Sequence, residues 1–173
     1  MRKLLIVVDM QKDFTYGALR NEEAIGIIPN VRNKIEEFQG EIIFTLDTHT
    51  PDYLNTQEGR KLPVSQCIKG TDGHKLVDEL ADLTEDALVL EKETFGSVEL
   101  GEILKESHAT EPYDEITLIG ICPDICVISN AMIVKAALPE VTVKVDSSCC
   151  AGVTPRSHST ALEAMKACQI EVI

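Results

Sequence analysis

The feature that most constrains this chain is a series of short, almost wholly apolar runs, several of which end on a charged residue. LLIVV (Leu4–Val8) is followed by Asp9, Glu41–Leu46 by Asp47, Val141–Val145 by Asp146, and Lys92 comes just beyond the short run Leu88–Leu90. Glu115–Ile119 ends at Gly120, and Ile170–Ile173 is the last such run. Runs of this length without polar alternation read as strands buried on both faces. Helical patterns separate them. One is expected to open at Pro29 and end near Gly40, with Val31, Ile35 and Phe38 on one face. Others are expected at His74–Leu80, from a Ser97 cap to Ser107, from about Asp124 to Leu138 before Pro139, and from Pro155 to about Cys168. Strand alternates with helix six times. That order predicts an α/β fold of three α/β/α layers around a mostly parallel six-stranded sheet, with a flavodoxin-like strand order as the nearest competitor.

The 173 residues suit one domain, 1–173, since no linker or low-complexity tract divides them. Sixteen basic residues face 29 acidic ones, a net charge of −13, which disfavours a nucleic-acid or anionic-membrane partner. Leu4–Val8 is too short for a membrane span or a signal-peptide core, so a soluble, cytoplasmic protein is expected. Six cysteines are present without a secretion signal and are expected to be free thiols.

In an open parallel sheet, ligands bind beyond the carboxyl ends of the strands. Asp9, Asp47, Lys92 and the Cys122–Cys126 segment all fall there. Each alone has an ordinary reading as a turn former, a surface cation or a small core residue. Together they offer a nucleophile, a base and a cation. Cys126 lies in the first turn of an expected helix, where the dipole favours a thiolate, and Lys92 is expected to lower its pKa further. The N–H groups of Cys122 and Cys126 are candidates for an oxyanion hole. Cys149 and Cys150 are expected to be buried at the end of the fifth strand, and Cys67 to lie in the long loop near the pocket. Asp47, His49 and Glu58 offer an imidazole and two carboxylates for zinc, manganese or iron, with a turn and a solvent-facing His as the equally weighted reading. His74, His108 and His158 have no metal spacing, and no GxGxxG or GxxxxGK[ST] loop is present.

LLIVVDMQKDF, KETFGS and GICPDICVISNA, taken in order, resemble the isochorismatase-like cysteine hydrolases, and among them the nicotinamidases and related amidases. The resemblance covers almost the whole chain and implies a Rossmann-like hydrolase fold. It implies Asp9 as catalytic acid, Lys92 as catalytic lysine and Cys126 as nucleophile, and a cis peptide at Ile121–Cys122. The family pattern usually has Thr where this chain has Pro123. It also implies a metal held by Asp47, His49 and Glu58. Its next ligand, a His, is replaced by Gln66, so a metal is expected to bind weakly, to be a harder ion, or to be absent. Pro63 stands where nicotinamidases often carry a ring that stacks on the pyridine. Phe14 and Phe95 are candidate pocket walls, with plain core as their other reading.

The implied reaction is C–N hydrolysis of a small carboxamide through a thioester. The alternatives are an N-carbamoyl or other small-amide substrate, or a non-catalytic binding protein on the same fold. The resemblance also carries the expectation of a homo-oligomer.

Overall fold

The computed structural model describes residues 1–173. Six strands form one sheet: β1 (Lys3–Val8), β2 (Glu41–Asp47), β3 (Leu88–Lys92), β4 (Glu115–Ile121), β5 (Thr142–Ala151) and β6 (Glu171–Val172). Every pairing is parallel and the order is β3-β2-β1-β4-β5-β6. The expected three layers are present, and this order excludes the flavodoxin-like competitor. Seven helices accompany the sheet: α1 (Lys12–Thr15), α2 (Glu22–Glu37), α3 (Gln57–Lys61), α4 (Asp78–Ala81), α5 (Val98–Thr110), α6 (Ile128–Ala137) and α7 (Pro155–Ala167). No helix is long and apolar enough to cross a membrane.

The apolar runs are continuous because the sheet is covered on both sides. Leu4, Ile6 and Val8 of β1 join a cluster with Leu100 and Leu104 of α5, Val134 of α6 and Met165 of α7. Leu5 and Val7 point the other way, into a cluster with Ala24, Ile28, Val31 and Ile35 of α2. Successive strand side chains alternate between faces, so both sets must be apolar.

Several boundaries differ from the sequence reading. Helix α2 begins at Glu22, seven residues before Pro29, because Asn21 caps it by accepting from the N–H groups of Glu23 and Ala24. Pro29 then lies inside the helix on an exposed face, where water can satisfy the carbonyl its missing N–H would have met. The short helix expected at His74–Leu80 is only Asp78–Ala81. Strands β3 and β5 are longer than expected: Lys92 closes β3, and β5 continues past Asp146 to include Cys149 and Cys150, both buried.

Helix α2 is fastened to β5 by Lys34, whose Nζ donates to Asp146 Oδ2 at 2.8 Å. Burial alone raises the Asp146 carboxyl, but Lys34 and the Ser148 hydroxyl outweigh it and hold the pKa below the usual carboxylate value. A depressed folded-state pKa stabilises above the unfolded value and the gain is lost as pH falls through the folded one. A partly exposed, solvent-screened pair of this kind contributes up to about 1 kcal/mol. Asp146→Asn should therefore lower the melting temperature at pH 7 by about 2–4 °C. The deficit should shrink as thermal melts are taken from pH 5 toward pH 3.

Candidate active site

The chain runs from β1 through β2 to β3 on one side, then starts again at β4 on the other side of β1. The crevice of such a sheet opens at this reversal. Four adjacent strands each deliver one group to it. Lys92 and Asp47 are the last residues of β3 and β2 and are partners in register. Asp9 follows β1 directly, and Cys126 follows β4 within a π-turn, Pro123–Val127. The β1–β4 approach depends on Gly120. Its φ is 116°, and a Cβ there would run into the Val8 carbonyl. Asp9 has a φ of 49°, in the left-handed region that Asp tolerates better than most side chains.

Lys92 Nζ is the centre of the arrangement. It lies 2.7 Å from Asp9 Oδ2, 3.3 Å from Asp47 Oδ1 and 3.6 Å from Cys126 Sγ, and it donates to the Thr94 carbonyl at 3.1 Å. Its side chain is 1% exposed. The other Asp9 oxygen accepts from Thr45 Oγ1 at 2.7 Å. Asp47 Oδ2 lies 3.0 Å from His49 Nε2, which is 3.7 Å from Glu58 Oε1. The candidate ligand atoms of Asp47, His49 and Glu58 all lie within 4.8 Å of one another. One imidazole and two carboxylates at that spacing suit a divalent cation.

Burial and charge oppose each other at each group. For Lys92, burial favours the neutral amine, but Asp9, Cys126 and Asp47 outweigh it and the pKa rises. Burial raises the Asp9 carboxyl, and the Lys92 charge only partly reverses this. For Asp47 burial also pushes upward, but His49 and Lys92 prevail and the pKa falls. The Cys126 thiol is raised by burial, then by the Asp9 charge, with Lys92 pulling the other way. Lys92 thus lowers the thiol as the sequence reading expects, but burial outweighs it: Cys126 sits in a π-turn ahead of α6 rather than in the first turn of a helix and is 6% exposed, which favours the neutral form.

The Ile121–Cys122 peptide is cis, as expected. The Cys122 carbonyl accepts from the N–H groups of Ile125 and Val127, while its own N–H meets no protein acceptor and remains free for a ligand. Two cavities flank the cluster. One, of about 770 Å³, is lined by Phe14, Leu19, Arg20, Cys122 and Val153. The other, of about 570 Å³, is lined by His49, Glu58, Thr94 and Phe95. Leu62 and Ile125 line both and divide them. Phe14 and Phe95 are thus pocket walls on opposite sides of that divide. Pro63 is exposed and lines neither cavity, contrary to the sequence reading; its neighbour Leu62 lines both. Cys67 is fully buried, and its N–H donates to Asp13 Oδ2 at 2.8 Å.

The isochorismatase domain matches residues 3–173. The chain belongs to the isochorismatase family. It is an enzyme of that hydrolase family, and several of its structural relatives are amidohydrolases. The pyrazinamidase of Pyrococcus horikoshii, solved in complex with zinc, is 29% identical with a TM-score of 0.85, over 100% of this chain and 99% of that one. A nicotinamidase/pyrazinamidase from Bacillus subtilis is 25% identical with a TM-score of 0.78, over 99% of each chain. N-carbamoylsarcosine amidase from Thermoplasma acidophilum is 27% identical with a TM-score of 0.79, over 99% of this chain and 95% of that one. No curated protein sequence matches.

Two buried amides that sequence reasoning passed over hold this family's site in place here. Gln11 Nε2 donates to the carbonyls of Asp47 and His74, and its Oε1 accepts from the Asp47 N–H, each at 2.8 Å. Its place two residues after Asp9, inside the LLIVVDMQKDF segment, is the signal that could have found it. Asn130 lies four residues after Cys126. Its Nδ2 donates to the carbonyls of Cys126 (2.8 Å) and Phe95 (3.2 Å), and its Oδ1 accepts from the Ser97 N–H (2.9 Å). It therefore ties the Cys126 segment to the segment that follows Lys92. Asn130→Ala strands those groups and should cost about 2–3 kcal/mol. Thermal melts should show a loss of about 5–10 °C.

Proposed function

We propose that this protein is a cysteine amidohydrolase that cleaves the C–N bond of a small carboxamide, in the manner of a nicotinamidase. The observation that carries the reading is a buried thiol and a buried carboxylate sharing one buried ammonium, beside an N–H with no protein acceptor. A thiol and the Asp9 carboxyl, both beside the Lys92 ammonium that favours the carboxylate form, are placed for proton transfer as the sulfur attacks. Asp9 takes the Cys126 proton, and a bond forms from Sγ to the amide carbon. The N–H groups of Cys122 and Cys126 receive the oxyanion, and Lys92 balances the negative charge now on sulfur and oxygen.

The tetrahedral intermediate collapses as Asp9 returns the proton to the nitrogen. The C–N bond breaks, ammonia leaves and a thioester remains. Asp9 then removes a proton from water as its oxygen attacks the thioester carbon. Collapse breaks the C–S bond, the proton returns to sulfur and the carboxylic acid departs. Asp47, His49 and Glu58 would hold a divalent cation, which when bound supplies Lewis acidity toward the carbonyl or the water. Asp47 links the two parts, because one of its oxygens faces Lys92 and the other His49.

A second reading, an N-carbamoyl substrate, is favoured by the wall between the cavities. Leu62 and Ile125 are aliphatic, so the only phenyl faces are Phe14 in one cavity and Phe95 in the other, away from the wall the two cavities share.

The test is ammonia release from nicotinamide, pyrazinamide and a set of N-carbamoyl amino acids, with manganese, iron or zinc supplied in turn. At least one substrate should turn over. Cys126→Ala should reduce the rate at least about 10⁴-fold, and Lys92→Met by about 10³-fold or more. No ammonia from any of them, or a Cys126→Ala variant of unchanged rate, would overturn the reading.

A further inference from the structure

The loop carrying Gln66 is pinned against His49 by its own backbone. The His49 N–H donates to the Cys67 carbonyl at 2.9 Å, and the Lys69 N–H donates to the His49 carbonyl at 2.8 Å, forming a parallel bridge between His49 and Ile68. Asp13 Oδ2 accepts from the Cys67 N–H and fixes the same turn, where Cys67 has a φ of 48°. Gln66 has no freedom to leave. It is 2% exposed, and its amide nitrogen lies 3.5 Å from Glu58 Oε1.

The carbonyl end of this amide is the unexplained group. Oε1 of Gln66 is buried and has no hydrogen-bond donor. A buried acceptor without a donor is rare in a folded protein, and a bound cation is one of the few partners that satisfies it. The two ends of an amide exchange by a half-turn about its last torsion, which would bring Oε1 to the side that faces Glu58.

We infer that Gln66 Oε1 is the fourth ligand of the cation held by Asp47, His49 and Glu58, and that it shifts the site's preference from zinc toward manganese. This rests on the metal site proposed above. The completed donor set has one nitrogen and three oxygens. Zinc draws its advantage from nitrogen and sulfur ligands, whereas carboxylate and carbonyl oxygens suit manganese and magnesium. An imidazole at position 66 would make two nitrogens and two oxygens and restore the advantage of zinc. The amide is neutral, so its gain is in preference rather than in charge.

Calorimetric titration of metal-free protein with Mn²⁺ and with Zn²⁺ tests this without reference to turnover. The variants are Gln66→Leu, Gln66→His and Asp47→Asn, each checked for native circular dichroism. The wild type should bind one Mn²⁺ per chain. Gln66→Leu should weaken Mn²⁺ at least tenfold. Gln66→His should tighten Zn²⁺ at least tenfold while changing Mn²⁺ less than threefold, a comparison that stands even where Gln66→Leu does not fold. If Asp47→Asn abolishes binding but Gln66→Leu binds Mn²⁺ within twofold of wild type, Gln66 is not a ligand and the metal site survives. If Gln66→His changes both metals alike, the preference is overturned. If the wild type binds neither ion at millimolar concentration, the metal site fails and the inference with it.

Discussion

Lys92 carries its charge where water does not reach, and two carboxylates and a thiol are arranged around it. Asp9 and Asp47 are themselves almost wholly buried, so each ionises at the cost of its hydration. The ammonium offsets that cost in part for Asp9, and together with His49 it does so fully for Asp47. Removing one member of a buried ion pair costs about 3–5 kcal/mol, since the remaining charge is left uncompensated. The cluster is therefore a single electrostatic unit. Its parts cannot be exchanged singly, and its geometry follows from where one nitrogen sits.

The sheet supplies that position. Adjacent parallel strands that end level bring their final residues side by side, as Asp47 and Lys92 do at the ends of β2 and β3. The reversal of strand order beside β1 leaves room for Asp9 to meet the segment after β4. The free Cys122 N–H and the Cys126 thiol enter from that side, and the His49 and Glu58 side chains from the other. The Cys126–Lys92–Asp9 group and the His49–Glu58 pair therefore enter from opposite sides and meet at Asp47.

Much of this was legible in the sequence, for an identifiable reason. A strand buried on both faces has no tolerance for charge, so the first polar residue after an apolar run marks where the strand leaves the core. That rule locates Asp9 and Asp47; after Leu88–Leu90 it points to Glu91, and Lys92 stands one residue further, in the KETFGS segment. It failed where long-range contacts decide the conformation. The stretch between β2 and β3 is shaped by Gln11 reaching Asp47 and His74, by Asp13 reaching Cys67 and by the bridge between His49 and Ile68. None of these pairs has a local signature. Pro29 misled for the opposite reason: its preference for a first turn was outweighed by an Asn cap and four inward-facing residues of α2. Cys126 was placed correctly in the chain but its ionisation was not, because helix position is visible in a sequence and depth of burial is not.

Strand β3 has one neighbour only. It is five residues long, its far side is unpaired, and Leu88 and Val89 are exposed along it. Edge strands open more readily than central ones, because fewer backbone bonds must break. Yet this edge delivers the cation on which the centre of the site depends. Detachment of β3 at its carboxyl end would withdraw Lys92 while β1, β4 and β5 stayed paired. Heat inactivation would then run ahead of global melting, and the enzyme would lose its charge carrier before it lost its shape.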